Sequence, residues 1–224
     1  MAAKRPELRR PLVRLALVGL LALVLAALLG NRIVAVAVPA VREEILLLDD
    51  NIEINTLEVV KDGDAHLLRL RANLIRPLYL GATIIFPLGW KPHTNGWFQI
   101  SANARGALAA PLLFLVACVG WVSRSRQETL FRCALLLPGC ALLFAIDAPL
   151  DLLGSFQQAV FRTGHLDGDR PLFMWARFLE GGGNTAMAVA LAVIVNGVAA
   201  RAANWRFRRR TSAKQASSAE SPAS

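Results

Sequence analysis

Cysteine, histidine and tyrosine are all scarce here, with three, three and one in 224 residues. Each scarcity removes a class of function. Cys118, Cys133 and Cys140 all lie in or beside apolar runs, so the polar part of the chain carries no disulfide framework. There is no Cys-x-x-Cys pair, and the three thiols read as small packing residues. His66, His93 and His165 are far apart, and none has a ligand at metal spacing, so no zinc site is expected. Gly-x-Ser-x-Gly, a phosphate-binding loop and a dinucleotide fingerprint are all missing, so no catalytic residue and no cofactor are assigned.

Charge is sparse as well, at 18% of residues against 55% apolar, which is too apolar for a solvated globule. The formal charge is +9, and its distribution matters more than its size. Fourteen of the 25 Lys and Arg fall in three patches beside apolar runs: up to Arg14, from Arg124 to Arg132, and from Arg201 to Lys214. Nucleic-acid binding would need a continuous basic face with stacking aromatics, and no nucleic-acid partner is expected. The pattern is that of charges anchoring a protein in a lipid bilayer from its cytoplasmic side.

Four apolar stretches carry the hydrophobicity. Leu15 to Gly30 has no charge and is extended by Pro11 to Val13; Arg14 can snorkel toward the headgroups. A retained helix is preferred over a signal peptide cut near Ala35-Val36-Ala37. Ile33 to Val41 either lengthens that helix or lies at the interface. The second span is Gly106 to Val122, the third Cys133 to Leu150, and the fourth follows Gly181-Gly182-Gly183 to Ala200. With four spans, all three basic patches share one side, so both termini are cytoplasmic and residues 42–105 and 151–180 lie outside. The tail from Thr211, rich in Ser and Ala, is expected to be disordered.

Residues 42–105 form the only long polar segment and read as a small β-rich domain. Ile52 and Ile54 alternate with Glu53 and Asn55; Leu68, Leu70, Ala72 and Leu74 alternate with Arg69, Arg71 and Asn73. Between the two arms, Lys61-Asp62-Gly63-Asp64 predicts a type I′ hairpin turn. Leu78 to Phe86 predicts one or two buried strands, and Asn95-Gly96 offers a further hairpin into Phe98-Gln99-Ile100. In 151–180, Phe156, Val160 and Phe161 predict an interfacial helix, followed by a turn-rich loop. Trp121 and Trp205 fall at expected inner boundaries and Trp175 near an outer one.

The expected architecture is therefore an α+β membrane protein. It has four transmembrane helices, with a small extracytoplasmic β-rich domain between helices 1 and 2. Residues 1–41 make the cytoplasmic N-terminus and first helix, 42–105 the outer domain, 106–203 a three-helix region with its outer loop 151–180, and 204–224 a basic tail.

Two features could carry function. Asp147 and Asp151 share a helix face at the outer end of the third span. The second is Trp175-Ala176-Arg177-Phe178-Leu179-Glu180-Gly181-Gly182-Gly183, where the glycines allow close backbone approach or a hinge. A capping or packing role for the two aspartates, and a plain loop at the glycines, are the structural alternatives.

The layout of one span, a small outer β domain, three more spans and a Phe178-Leu179-Glu180-Gly181-Gly182-Gly183 lead-in to the last helix resembles the membrane proteins encoded beside bacterial exosortases. Among these it resembles the exosortase H-associated type in particular. The resemblance implies a multi-pass protein of a bacterial cytoplasmic (inner) membrane, an accessory to protein sorting with an exosortase as partner; it brings no catalytic residues. Two readings follow. The favoured one is a non-enzymatic accessory protein presenting its outer domain to a membrane enzyme or its substrate. The other is a membrane-embedded enzyme or small transporter using Asp147 and Asp151, with His165 or Glu180 as a further member, which would gather its polar residues in one pocket.

Overall fold

A computed structural model describes residues 6–63, 65–80, 83–85, 97–123, 125–163 and 171–219. The elements run α1 (Pro6–Leu48), β1 (Ile52–Asp62), β2 (Ala65–Leu74), β3 (Leu78–Leu80), β4 (Thr83–Ile85) and β5 (Phe98–Asn103), then a 3₁₀ turn (Gly106–Leu108). After it come α2 (Ala109–Gly120), α3 (Arg126–Thr163), α4 (Pro171–Phe178), a π turn (Leu179–Gly183) and α5 (Asn184–Ala219). The fold is α+β, and it belongs to a membrane protein. Three stretches of helix are long and apolar enough to cross a bilayer: Val13–Leu48, Arg126–Arg162 and Met174–Trp205. The second apolar stretch is shorter, Gly106–Gly120, because Trp121 turns to an extended backbone with ψ at 134°.

The hairpin forms where the alternation predicts it. β1 and β2 pair antiparallel from Ile52↔Leu74 to Asp62↔Ala65, and β5 adds to β2, giving the order β1-β2-β5. Because Asp62 still pairs with Ala65, Asp62 belongs to the strand and the turn begins at Gly63, one position later than an Asp-Gly turn. Gly63 takes φ +59° with open space around its Cβ position. Gly63→Val should therefore cost about 1 kcal/mol or more through backbone strain alone, since a β-branched residue resists positive φ. Protease resistance of the sheet is the measurement; unchanged resistance would contradict the turn geometry.

Past a register shift between Ile54 and Thr56, the burial alternation of β1 weakens. On β2, Leu68, Leu70, Ala72 and Leu74 are buried as expected. Asn73 is buried too, rather than wet, with its Oδ1 accepting from the Leu74 amide. β3 and β4 make a separate two-stranded sheet, so among the described residues Leu78–Leu80 and Thr83–Ile85 pair with each other rather than with the main one. Asn95-Gly96 lies outside the described residues.

Where the helices end corrects the expected domain plan. α1 runs through Pro39 to Leu48, so residues 42–48 belong to the helix rather than to a β domain. α3 runs through Pro138 and Pro149 to Thr163, so Phe156, Val160 and Phe161 continue the third helix instead of forming a separate interfacial one. The cause is packing. Val34, Val41 and Ile45 of α1, and Leu152, Leu153, Phe156 and Val160 of α3, are buried in one core with Ile52, Leu68, Leu70, Phe98 and Ile100 of the sheet. Burial of these side chains outweighs the roughly 3 kcal/mol that an interior proline costs a helix. The sheet is built on the ends of two helices.

α2 sits among α1, α3 and α5. A Cβ on Gly120 would come within 2.4 Å of Leu15 Cδ1, and one on Gly30 within 3.1 Å of Leu108 Cδ1, so α2 lies antiparallel along Leu15–Gly30 of α1. Beyond α2, the buried ion pair of Glu128 and Arg132, with Arg132 Nη1 also donating to Trp121 O at 2.9 Å, fixes the turn into α3. α5 continues to Ala219 where a disordered tail was expected. Extending an existing helix needs no new nucleus, and Ala213, Ala216 and Ala219 favour it.

Because α1 fits against Gly120 at one end and seals the sheet's core at the other, it should be retained. Intact mass spectrometry of the membrane-extracted protein should give the full 24.3 kDa chain. A product beginning after Ala37 would contradict this.

Candidate functional site

Where the sheet meets the helices, a cavity of about 350 Å³ opens. β5 and the turn after it contribute Ser101, Asn103, Gly106 and Ala107; α3 contributes Asp147, Asp151 and Ser155; the π turn and the start of α5 contribute Leu179, Glu180 and Asn184. The i, i+4 spacing puts both aspartates on one face of α3, and the π turn brings Glu180 to them from a different helix. Burial is graded. Asp147 is 5% exposed, Asp151 is half-buried and Glu180 is exposed, so the carboxylates descend from the surface into the cavity.

Asp147 is tolerated at this depth for local reasons. Its Oδ1 accepts a 2.6 Å hydrogen bond from Asn184 Nδ2. Gly106 and Ala107, at the N-terminal end of the short second helix, line the same cavity. The positive end of that helix's dipole favours negative charge nearby, although the Gly106 N–H itself donates to Asn103 Oδ1. The Asn184 bond also fastens the first residue of α5 to α3.

A smaller cavity of about 250 Å³ adjoins the first, sharing Ser155 and Glu180, with Gly154, Gln158, Ala176 and Arg177 as its other lining. Here α4 lies hard against α3, and a Cβ on Gly154 would come within 2.4 Å of Ala176 Cβ.

Asp147, Asp151 and Glu180 are thus brought together, and Arg177 is beside them. Trp175 is not: it is 40% exposed on α4 and stacks on Phe178 at 5.3 Å. Gly181 and Gly182 have open space around them, whereas Gly183 is packed against Phe178. His165 lies outside the described residues, as does His93. His66 is on β2, where its carbonyl accepts from Ala104 N at 3.0 Å. Sequence reasoning missed Asn184, Ser101, Asn103 and Ser155. An asparagine directly after a glycine run at the start of an apolar span was the one available signal for Asn184.

Among the described residues, no three His, Cys, Asp or Glu side chains are grouped closely enough to hold a metal ion. Three carboxylates with amide and hydroxyl neighbours suit a cationic group such as an ammonium or guanidinium. No protein-family model, no curated protein and no solved structure matches this chain.

Proposed function

We propose that this is a non-enzymatic integral membrane accessory protein that receives a positively charged group of a membrane enzyme, or of that enzyme's substrate, in the acidic cavity on its outer side. The observation that carries the reading is the convergence of Asp147, Asp151 and Glu180 on one cavity at the joint between sheet and helices. Asp151 and Glu180 face the ligand, and Asp147 holds the cavity's shape through Asn184. The resemblance to exosortase-associated proteins makes an exosortase the partner to test first, in a bacterial cytoplasmic membrane.

Four spans with both termini cytoplasmic complete the proposal. Its supports are the three basic patches and the match of α2 to the Leu15–Gly30 stretch of α1. Reporter fusions at the Gly63 turn and after Arg126, Leu166 and Lys214 should read outside, inside, outside and inside. An outside signal at Lys214 would sink the four-span arrangement.

Co-purification in mild detergent tests the function itself. The double variant Asp151→Asn/Glu180→Gln should retain about a tenth or less of the partner held by wild type, a loss of about 1.4 kcal/mol or more. Full retention would remove the cavity from the account. The same convergence favours a second reading, a membrane-embedded enzyme or small transporter working through these carboxylates. That reading gains if Asp147→Asn abolishes function while association stays intact.

A further inference from the structure

We infer that the positively charged group enters this cavity on an extended peptide, which adds as a strand to the unpaired edge of β5 and lays a lysine or arginine side chain against Asp151 and Glu180. The inference rests on the cavity being the site, and it names the class of ligand. β5 is the last strand in the order β1-β2-β5, and among the described residues no strand pairs with its second edge. Which backbone groups face that edge follows from one bond. Ala104 N donates to His66 O at 3.0 Å, continuing the register in which Leu67 lies opposite Asn103. In an antiparallel pair, hydrogen-bonded and non-hydrogen-bonded positions alternate. Phe98, Ile100 and Ala102 therefore bond to β2, and the N–H and C=O groups of Gln99, Ser101 and Asn103 point away from it. Ser101 and Asn103 are also residues that line the cavity. A row of unpaired N–H and C=O groups is a template for a further strand.

The shape and the charge of the site fit the same occupant. The two adjoining cavities share Ser155 and Glu180, and together they follow α3 from Asp147 to Gln158. At the rise of an α-helix that is about 17 Å, the length of about five residues of extended chain. A small free amine would fill only part of such a groove. On a strand added to β5, alternate side chains point to the face that carries Phe98 and Ile100. That is the face α3 packs against, through Leu152 and Phe156. α3 also carries Asp151, and the π turn brings Glu180 to it, so a side chain of the added strand meets carboxylates there. Arg177 lines the smaller cavity, which leaves the larger one, of about 350 Å³, for the cation.

The test titrates two seven-residue peptides, acetyl-Thr-Val-Thr-Lys-Thr-Val-Thr-amide and its arginine form, against the full chain in nanodiscs. N-acetyl-lysine amide serves as the small cation, and both peptides should bind about tenfold or more tightly than it does. N-methylation of alternate residues removes the N–H groups along one edge of a peptide. One alternate set should weaken binding about tenfold or more and the other set should change it little, because only one edge meets β5. Ser101→Pro deletes an outward N–H and no ladder bond, a change that edge strands tolerate. It should weaken both peptides about tenfold. Where Ser101→Pro disturbs the sheet, the methylated peptides on the wild-type chain decide alone. Failure of both peptides to bind at millimolar concentration, a small cation that binds as tightly, or equal effects of the two methylation sets would overturn the added strand. The two ideas fail separately. Binding lost in Asp151→Asn/Glu180→Gln without any methylation pattern refutes the strand alone, and a methylation pattern with undiminished affinity in that double variant refutes the acidic site.

Discussion

Phe156→Ala should cost about 3–5 kcal/mol and release the sheet from the helices. Phe156 is 1% exposed, and its ring meets that of Phe98 edge-to-face, with centroids 5.6 Å apart and an 80° interplanar angle. It joins α3 to β5, and its neighbours Leu152, Leu153 and Val160 are buried in the same core. Truncation leaves a void facing both the sheet and the helix, and neither can close it without leaving other contacts. With total stabilities of 5–15 kcal/mol typical of folded proteins, such a loss is a large share of the whole. Limited proteolysis after the Gly63 turn, with retention in the membrane as control, is the readout. Sheet protection that survives Phe156→Ala would mean that the sheet is an autonomous domain. The companion expectation is that residues 42–105 alone do not fold, because Val41, Leu152, Leu153 and Phe156 are missing from their core.

The second large effect is at Asp147. Asn184 Oδ1 already has no hydrogen-bond partner among the described residues, and its Nδ2 is satisfied by Asp147. Asp147→Ala would leave both ends of a sheltered amide unpaired, at a cost of about 1–3 kcal/mol. Asp147→Asn keeps a carbonyl oxygen where the acceptor stands, so it should preserve both insertion and partner retention near wild type. Thermal unfolding in detergent separates the two variants. Equal stability of the Ala and Asn variants would show that the Asn184 bond contributes nothing. Loss of function in Asp147→Asn with intact folding and association would favour the catalytic or transport reading.

How far these features could be read from the chain differs by kind. The β1–β2 hairpin was legible because period-two alternation and a Gly63 turn are local signals. The helix ends were not. Pro39, Pro138 and Pro149 are local stop signals, and what overrides them is burial against a sheet formed by residues distant in sequence. Phe156, Val160 and Phe161 did show helical spacing, but a bilayer surface and a sheet select the same amphipathic pattern. The cavity was half legible. Asp147 and Asp151 stand out as carboxylates on an apolar helix, and Glu180 lies in a glycine-rich motif, yet nothing in the sequence says that the π turn meets α3. Ser101 and Asn103 reach the cavity only because β5 runs into α2 at that level.

The most direct test of the central claim uses a photo-crosslinking amino acid at Ser155, which lines both cavities. A second probe at the exposed Val193, on the apolar span of α5, serves as the control. The account predicts a protein adduct from position 155 that is lost when Asp151→Asn/Glu180→Gln is introduced, while adducts from position 193 are unaffected by those changes. An adduct from position 155 that persists undiminished in the charge-neutralised cavity would contradict it.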